Sequence, residues 1–168
     1  MILAHADILE AVANGRIRIT PFDSKLVGAC SVDFTLGEEF RVFKHEDEVK
    51  LTGGLDYLLQ TKAKRCPRGY LLKPGELVLG VTHERLTLAT DLTGSIQGRS
   101  RIARMGVMVH VSSSLIQPGV DNKQVLEIVN LSPNPVLLTP GVAICQVVFS
   151  ELKSKSAYKG AFAKQTAP

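Results

Sequence analysis

The spacing of apolar positions changes character along this chain. Between His5 and Asn14 it is helical. Ile8, Leu9 and Val12 make one stripe, Asp7 and Glu10 lie in the N-terminal half, and Asn14-Gly15 is a stop signal. After Pro21 the period drops to two. In ACSVDFTLG, Val32, Phe34 and Leu36 alternate with Ser31, Asp33 and Thr35, the pattern of a half-buried strand, and Phe40 to Phe43 predicts another short one. From Tyr70 onward strand-like runs recur: LVLGVT, LTGSIQ, GVMVHV, VLEIVN, PVLL and AICQVVF. The dipeptides Pro74-Gly75, Pro118-Gly119 and Pro140-Gly141 punctuate them. Proline fixes one turn position and glycine accepts positive φ at the next, so each predicts a type II turn. Short strands at this spacing predict a mostly β fold, a distorted barrel or double sheet with a short N-terminal helix.

Three stretches depart from the alternation. Residues 44–69, with KHEDEVK and KAKRCPRG, are charged and irregular and read as a surface excursion within one domain. SRIAR predicts one helical turn. The tail, 153–168, has almost no core-forming residues. It is either a frayed terminus or, through Tyr158, Phe162 and Gln165 among Lys155, Lys159 and Lys164, a segment that folds over an anionic ligand.

Composition narrows the class of protein. A chain of 168 residues suits a single domain, 1–168, that buries roughly 70% of its unfolded surface. The net charge of +4 suits a nucleotide phosphate and is too weak to argue for nucleic acid. Cys30, Cys66 and Cys145 are scattered without CxxC spacing, and the four histidines are unclustered. Neither a zinc site nor a disulfide framework is expected, and the thiols suit a reducing, cytoplasmic compartment. No apolar run approaches the ~18 residues of a membrane span, so no membrane partner is expected either. Cys145 is expected to pack as a small core residue, and His110 as a buried, hydrogen-bonded histidine.

Candidate chemistry concentrates between Gln97 and Asn130. This stretch opens with a Gly-Arg-Ser turn, crosses the apolar run Met105 to Val111, turns at Pro118-Gly119 and ends in a strand that carries a carboxylate. Alternation puts Val125, Glu127 and Val129 on one face and Leu126 and Ile128 on the other. A mid-strand carboxylate is costly to bury unless something pairs with it. Arg99, Ser100 and Arg104, one or two strands earlier, are candidates for that pairing. A solvated strand face is the alternative.

Taken in order, GRSRIARMGVMVHV, IQPG, VLEIVN and LTPGVAICQVVF resemble the core of the dCTP deaminase branch of the dUTPase-like superfamily. ITPFD, ACSVDFTLGEEFRVF, YLLKPGELVLGVTHERLTLATDLTGSIQGRS and the tail YKGAFAKQT extend the likeness over nearly the whole chain. The resemblance implies a dUTPase-like homotrimer with sites at subunit boundaries, acting on a pyrimidine deoxynucleoside triphosphate. It further implies deamination without a catalytic metal, with Mg²⁺ bound alongside the triphosphate. Residue by residue, Glu127 matches the glutamate that shuttles protons between water and the cytosine amine. Ser100 matches the serine that helps hold the water, with the backbone carbonyl near Ser113 as a third contact. Arg104 matches the arginine that orients the glutamate. Arg99 and Ser100 correspond to a phosphate-contacting turn, Val111 reads the pyrimidine edge through its backbone, and Tyr158 and Gln165 match tail residues that close over the nucleotide.

The chain departs from the family pattern at four positions. The usual Ile-Asp-Pro-Gly is Ile-Gln-Pro-Gly, so Gln117 replaces the acid that contacts the sugar hydroxyl. Val120 replaces an aromatic residue, Leu115 an arginine and Ala161 a lysine. An amide still hydrogen-bonds but is no base. Glu127 without that aspartate favours deamination over triphosphate hydrolysis. A dUTPase, a bifunctional dUMP-forming enzyme and a non-catalytic nucleotide-binding paralogue remain as alternatives.

Overall fold

The computed structural model describes residues 1–46, 48–50 and 56–168. The expected helix forms as α1 (His5–Ala13), burying Ile8 and Ala11, with Leu9 and Val12 packed at the margin of the core. Asp7 caps its first turn by accepting from the Ala4 N–H at 2.9 Å. No helix among the described residues is long and apolar enough to cross a membrane.

The strands are β1 (Ile17–Thr20), β2 (Val32–Phe43), β3 (Thr61–Arg65), β4 (Tyr70–Leu72), β5 (Leu77–Leu88) and β6 (Leu92–Gly98), then β7 (Val107–Met108), β8 (Leu115–Ile116), β9 (Asp121–Asn130), β10 (Val136–Leu138) and β11 (Ala143–Glu151). Single turns of helix, α2 (Tyr57–Gln60) and α3 (Ser100–Ala103), interrupt them, as does a 3₁₀ turn at Ser24–Leu26. One sheet runs in the order β7-β9-β5-β2-β11-β6-β8, with β1 added to β5 and β3 to β2, and β10 pairs with β4 apart from it. β5 is the spine: β9 pairs with it along Leu77 to Thr87, while β2 and then β1 pair with its other edge. Phe34, Phe40, Phe149, Leu86, Leu126 and Ile128 are fully buried where the sheet curls over its core.

The two long strands bend because their registers slip. The β2–β5 register shifts between Leu36 and Phe40, where a Cβ on Gly37 would stand 3.0 Å from the Val81 carbonyl oxygen. The expected break at Phe40 is therefore a bend within one strand, which glycine permits by letting the backbones approach. On β5 the slip falls between Val81 and Arg85 and buries Glu84. Its carboxylate accepts from the Thr35 N–H at 2.8 Å and the Thr35 hydroxyl at 2.7 Å. Those bonds offset the desolvation of a charge in mid-sheet.

Other expectations shift in extent. The three Pro-Gly glycines, Gly75, Gly119 and Gly141, all take positive φ. GVMVHV contributes only Val107 and Met108 to the sheet. The excursion contains a strand, β3, and the turn α2, while Asp47 and residues 51–55 lie outside the described part. Cys145 is fully buried, and burial pushes its thiol well above the usual range, so it stays protonated.

Arg85 on β5 and Asp121 on β9 form a bidentate pair at 2.8 and 2.9 Å, and the Thr87 hydroxyl adds a third bond at 2.7 Å. The Arg85 hydrogen bond, seconded by Thr87, lowers the Asp121 carboxyl from its ordinary 3.8 to about 2. A lowered carboxylate contributes stability that is present above its unfolded value and lost as pH falls through the folded one. Asp121→Asn should therefore flatten the fall in stability between about pH 4 and 2. The change should be small, because both side chains are more than a third exposed, at 37% and 39%. Urea midpoints of the two proteins across that range check it, and identical pH dependence would mean the pair adds nothing.

Candidate active site

β7 leaves the sheet after two residues, pairing only through Val107 with Asn130 and Met108 with Val129. The chain that follows passes over the next outward position on β9, which is Glu127. The carboxylate oxygen Oε2 accepts from the backbone N–H of Ser112 at 3.1 Å and of Val111 at 3.2 Å. Glu127 is half-buried between Val125 and Val129, while Leu126 and Ile128 are sealed in the core. The expected division of faces holds. The partners differ from those the sequence offers: backbone amides, rather than Arg99 or Arg104, receive the carboxylate. Among the described residues Oε1 receives no hydrogen bond.

Glu127 lies in the wall of a cavity of about 600 Å³. Of the residues singled out in the sequence, Val111, Ser113, Gln117, Tyr158 and Gln165 line it too. Leu115 and Val120 are also in the wall, and Val120 is 2% exposed, so it supplies an apolar floor where the family pattern has an aromatic ring. Gln117 is half-buried at the cavity edge. Ala161 is exposed on the tail and does not reach the wall.

Arg99, Ser100 and Arg104 do not line this cavity. Arg99 is tied elsewhere, with its Nη2 2.8 Å from the Asp33 carboxylate and its Nη1 donating to the Ala143 carbonyl at 3.0 Å. Ser100 begins α3, Arg104 follows its end, and both are exposed. The water-holding and phosphate-contacting candidates are thus separated from the carboxylate within one chain.

The tail packs rather than frays. The Tyr158 N–H donates to the Pro118 carbonyl at 2.9 Å. Asp121 and Lys123 of β9 donate their N–H groups to the carbonyls of Ala163 and Gln165, both at 2.9 Å. Alternate residues on one strand edge bonding to alternate carbonyls is how an added strand docks. The Asn122 amide reinforces it, donating to the Phe162 carbonyl at 2.8 Å.

Phe162, which the sequence offers with Tyr158 and Gln165, lines the wall as well, whereas sequence reasoning missed Tyr57 and Lys123. Tyr57-Leu58-Leu59, an apolar island in a charged stretch, was the available signal for the first. His110 lines the cavity with both ring nitrogens buried, and among the described residues neither has a partner, so the expected hydrogen bond is absent there.

A model of the dCTP deaminase-like family matches residues 2–152. The chain is 39% identical over 165 residues to the dCTP deaminase of Halorubrum lacusprofundi, covering 92% of this chain and 79% of that one. It is 36% identical over 160 residues to the dUMP-forming dCTP deaminase of Methanopyrus kandleri, covering 91% and 83%. Among solved structures, the 2′-deoxycytidine 5′-triphosphate deaminase of Agrobacterium tumefaciens superposes with a TM-score of 0.71 at 22% identity. That superposition covers 90% of this chain but 48% of the other, so this chain spans about half of its length. The likeness is one of fold.

If Oε2 is what holds the loop over β9, Glu127→Ala should free the Val111 and Ser112 amides. Hydrogen bonds to a charged group contribute about 1.5–3 kcal/mol, so exchange at these two amides should accelerate roughly 10- to 100-fold. Leu126 and Ile128 should exchange as before. Unchanged exchange at Val111 and Ser112 would show that other contacts fix the loop.

Proposed function

The chain belongs to the dCTP deaminase-like family, and on that premise we propose that it converts dCTP and water to dUTP and ammonia. The observation that carries this reading is Glu127, set in the cavity wall with one oxygen held by two backbone amides and the other without a donor among the described residues. A carboxylate fixed in this way is oriented to act as a general base and then a general acid. Glu127 takes a proton from water as the water oxygen bonds to C4 of cytosine. It passes that proton to N3, then takes the proton of the new C4 hydroxyl and gives it to the amine as the C4–N4 bond breaks and ammonia leaves. One water hydrogen ends on the departing amine and the other on N3 of the uracil product.

The remaining roles follow the family pattern and the shape of the cavity. Val111 and Ser113 offer backbone groups to the pyrimidine edge, and Gln117 offers its amide to the sugar. Tyr158 and Gln165 close the tail over the nucleotide. A triphosphate needs more cations than the cavity wall provides, since Lys123 is its one lysine or arginine among the described residues. Arg99, Ser100 and Arg104, remote from Glu127 in their own chain, supply a neighbouring chain's site in a homotrimer. Arg104 there orients Glu127 and Ser100 helps hold the water. Mg²⁺ accompanies the phosphates, and the deamination step itself uses no metal. The reading places the protein in cytoplasmic pyrimidine deoxynucleotide metabolism.

A second reading, the dUMP-forming activity, is favoured by the relatives named for it, including that of Methanopyrus kandleri. Gln117 weighs against it, because an amide accepts no proton from an attacking water.

Purified protein incubated with a panel of cytosine and uracil nucleotides, scored for both ammonia and pyrophosphate, tests the two readings. Ammonia from dCTP without pyrophosphate is expected. Binding without either product would overturn both. Glu127→Gln preserves shape but not basicity, and should slow deamination by at least ~10²–10⁴ while nucleotide affinity survives. Gln117→Asp restores the acid of the family pattern and should gain pyrophosphate release from dUTP or tighten deoxynucleotide binding. If neither changes, position 117 does not set the reaction.

A further inference from the structure

Resting on the reading of the tail as the segment that closes over the nucleotide, we propose that Tyr57 is a positioning residue that holds the tail shut. The side-chain amide of Gln165 donates to the Tyr57 hydroxyl at 2.9 Å, across 108 positions of sequence. The Gln165 carbonyl meanwhile accepts from the Lys123 N–H. Gln165 is therefore gripped at both ends, its backbone on β9 and its side chain on α2. The Phe162 ring sits 6.4 Å from the Tyr57 ring, tilted by 53°, so the tail meets Tyr57 through a ring as well as a hydrogen bond.

The turn that carries Tyr57 is built to present it. Asp56 accepts from the Leu58 N–H at 2.9 Å, and the Thr61 hydroxyl donates to the Tyr57 carbonyl at 2.8 Å. Arg41 on β2 donates to the Thr61 hydroxyl at 2.7 Å and to the Leu58 carbonyl at 3.3 Å, with its guanidinium 5.9 Å from the Tyr57 ring centroid. A role in the core does not account for this bracing. α2 buries none of its residues, and Leu58 and Leu59 remain 44% and 67% exposed. What the bracing fixes is the direction of one aromatic side chain, and that side chain meets the tail at the cavity.

The β9 amides bonded to the tail report closure without any nucleotide. A neutral hydrogen bond is worth about 0.5–1.5 kcal/mol, so Tyr57→Phe, which keeps the ring, should speed exchange at the Lys123 amide roughly 3- to 10-fold. Amides of Leu126 and Ile128 should not change. The KM for dCTP should rise by a similar factor with kcat within about twofold, because Glu127 and its loop are untouched. Gln165→Ala should match Tyr57→Phe in the exchange assay. The double variant should add nothing, since both remove one bond. Additive effects, or exchange and KM both unchanged in Tyr57→Phe, would overturn the proposal. Faster exchange in a protein that deaminates no nucleotide would uphold the latch and reject the substrate reading instead.

Discussion

A carboxylate on the outward face of β9 requires donors, and the chain supplies them by ending β7 early. Had β7 paired along the full edge of β9, the Val111 and Ser112 amides would have pointed to opposite edges of the strand, one of them spent on the ladder, and could not both have reached one oxygen. With β7 confined to Val107 and Met108, those amides turn onto Glu127 Oε2. The same departure carries His110 and Ser113 to the cavity wall and exposes the β9 backbone beyond it. The tail then occupies that edge at Asp121 and Lys123. One missing stretch of strand pairing thus makes the cavity, orients its carboxylate and leaves a docking edge for its cover.

The scaffold beneath is rigid where this arrangement needs it. Leu126 and Ile128, the inward neighbours of Glu127, are fully buried against the β5 side of the core. A Cβ on Gly80 would come within 2.9 Å of the Ile128 side chain, so glycine there lets Ile128 seat fully. The cover is the opposite case. It is attached by a few backbone bonds and by half-buried side chains, so it opens at far less cost than the sheet.

Much of this was legible in the residue pattern. The helix, the strand runs, the Pro-Gly turns and the two faces of β9 follow from periodicity and from the properties of proline and glycine, which act locally. The same alternation singled out Glu127 as an anomaly. Its partners were not legible, because backbone amides carry no residue identity and only the path of the chain decides where they point. Tyr57 was hidden for a related reason. Its significance depends on Gln165, and nothing local in either stretch refers to the other. The bend at Gly37 was read as a break because a register slip keeps strand geometry on both sides while interrupting the alternation.

The distribution of charge gives the proposed assembly its physical motive. A nucleoside triphosphate brings roughly four negative charges, and a low-dielectric cavity magnifies the penalty of leaving them unpaired. Lys123, the cavity's one lysine or arginine among the described residues, cannot meet that demand beside the Glu127 carboxylate. In the proposed assembly Arg99 and Arg104 would supply the needed charge, Arg104 exposed and Arg99 half-buried beside Asp33. Asp33 and the Ala143 carbonyl already hold the Arg99 guanidinium in one orientation, so little ordering entropy is left to lose when a phosphate arrives. A guanidinium has five donors, and these contacts leave others for an incoming oxygen. In the proposed homotrimer, a cation fixed in advance but remote from its own cavity would serve a neighbouring copy, and threefold symmetry would repeat that exchange at each site.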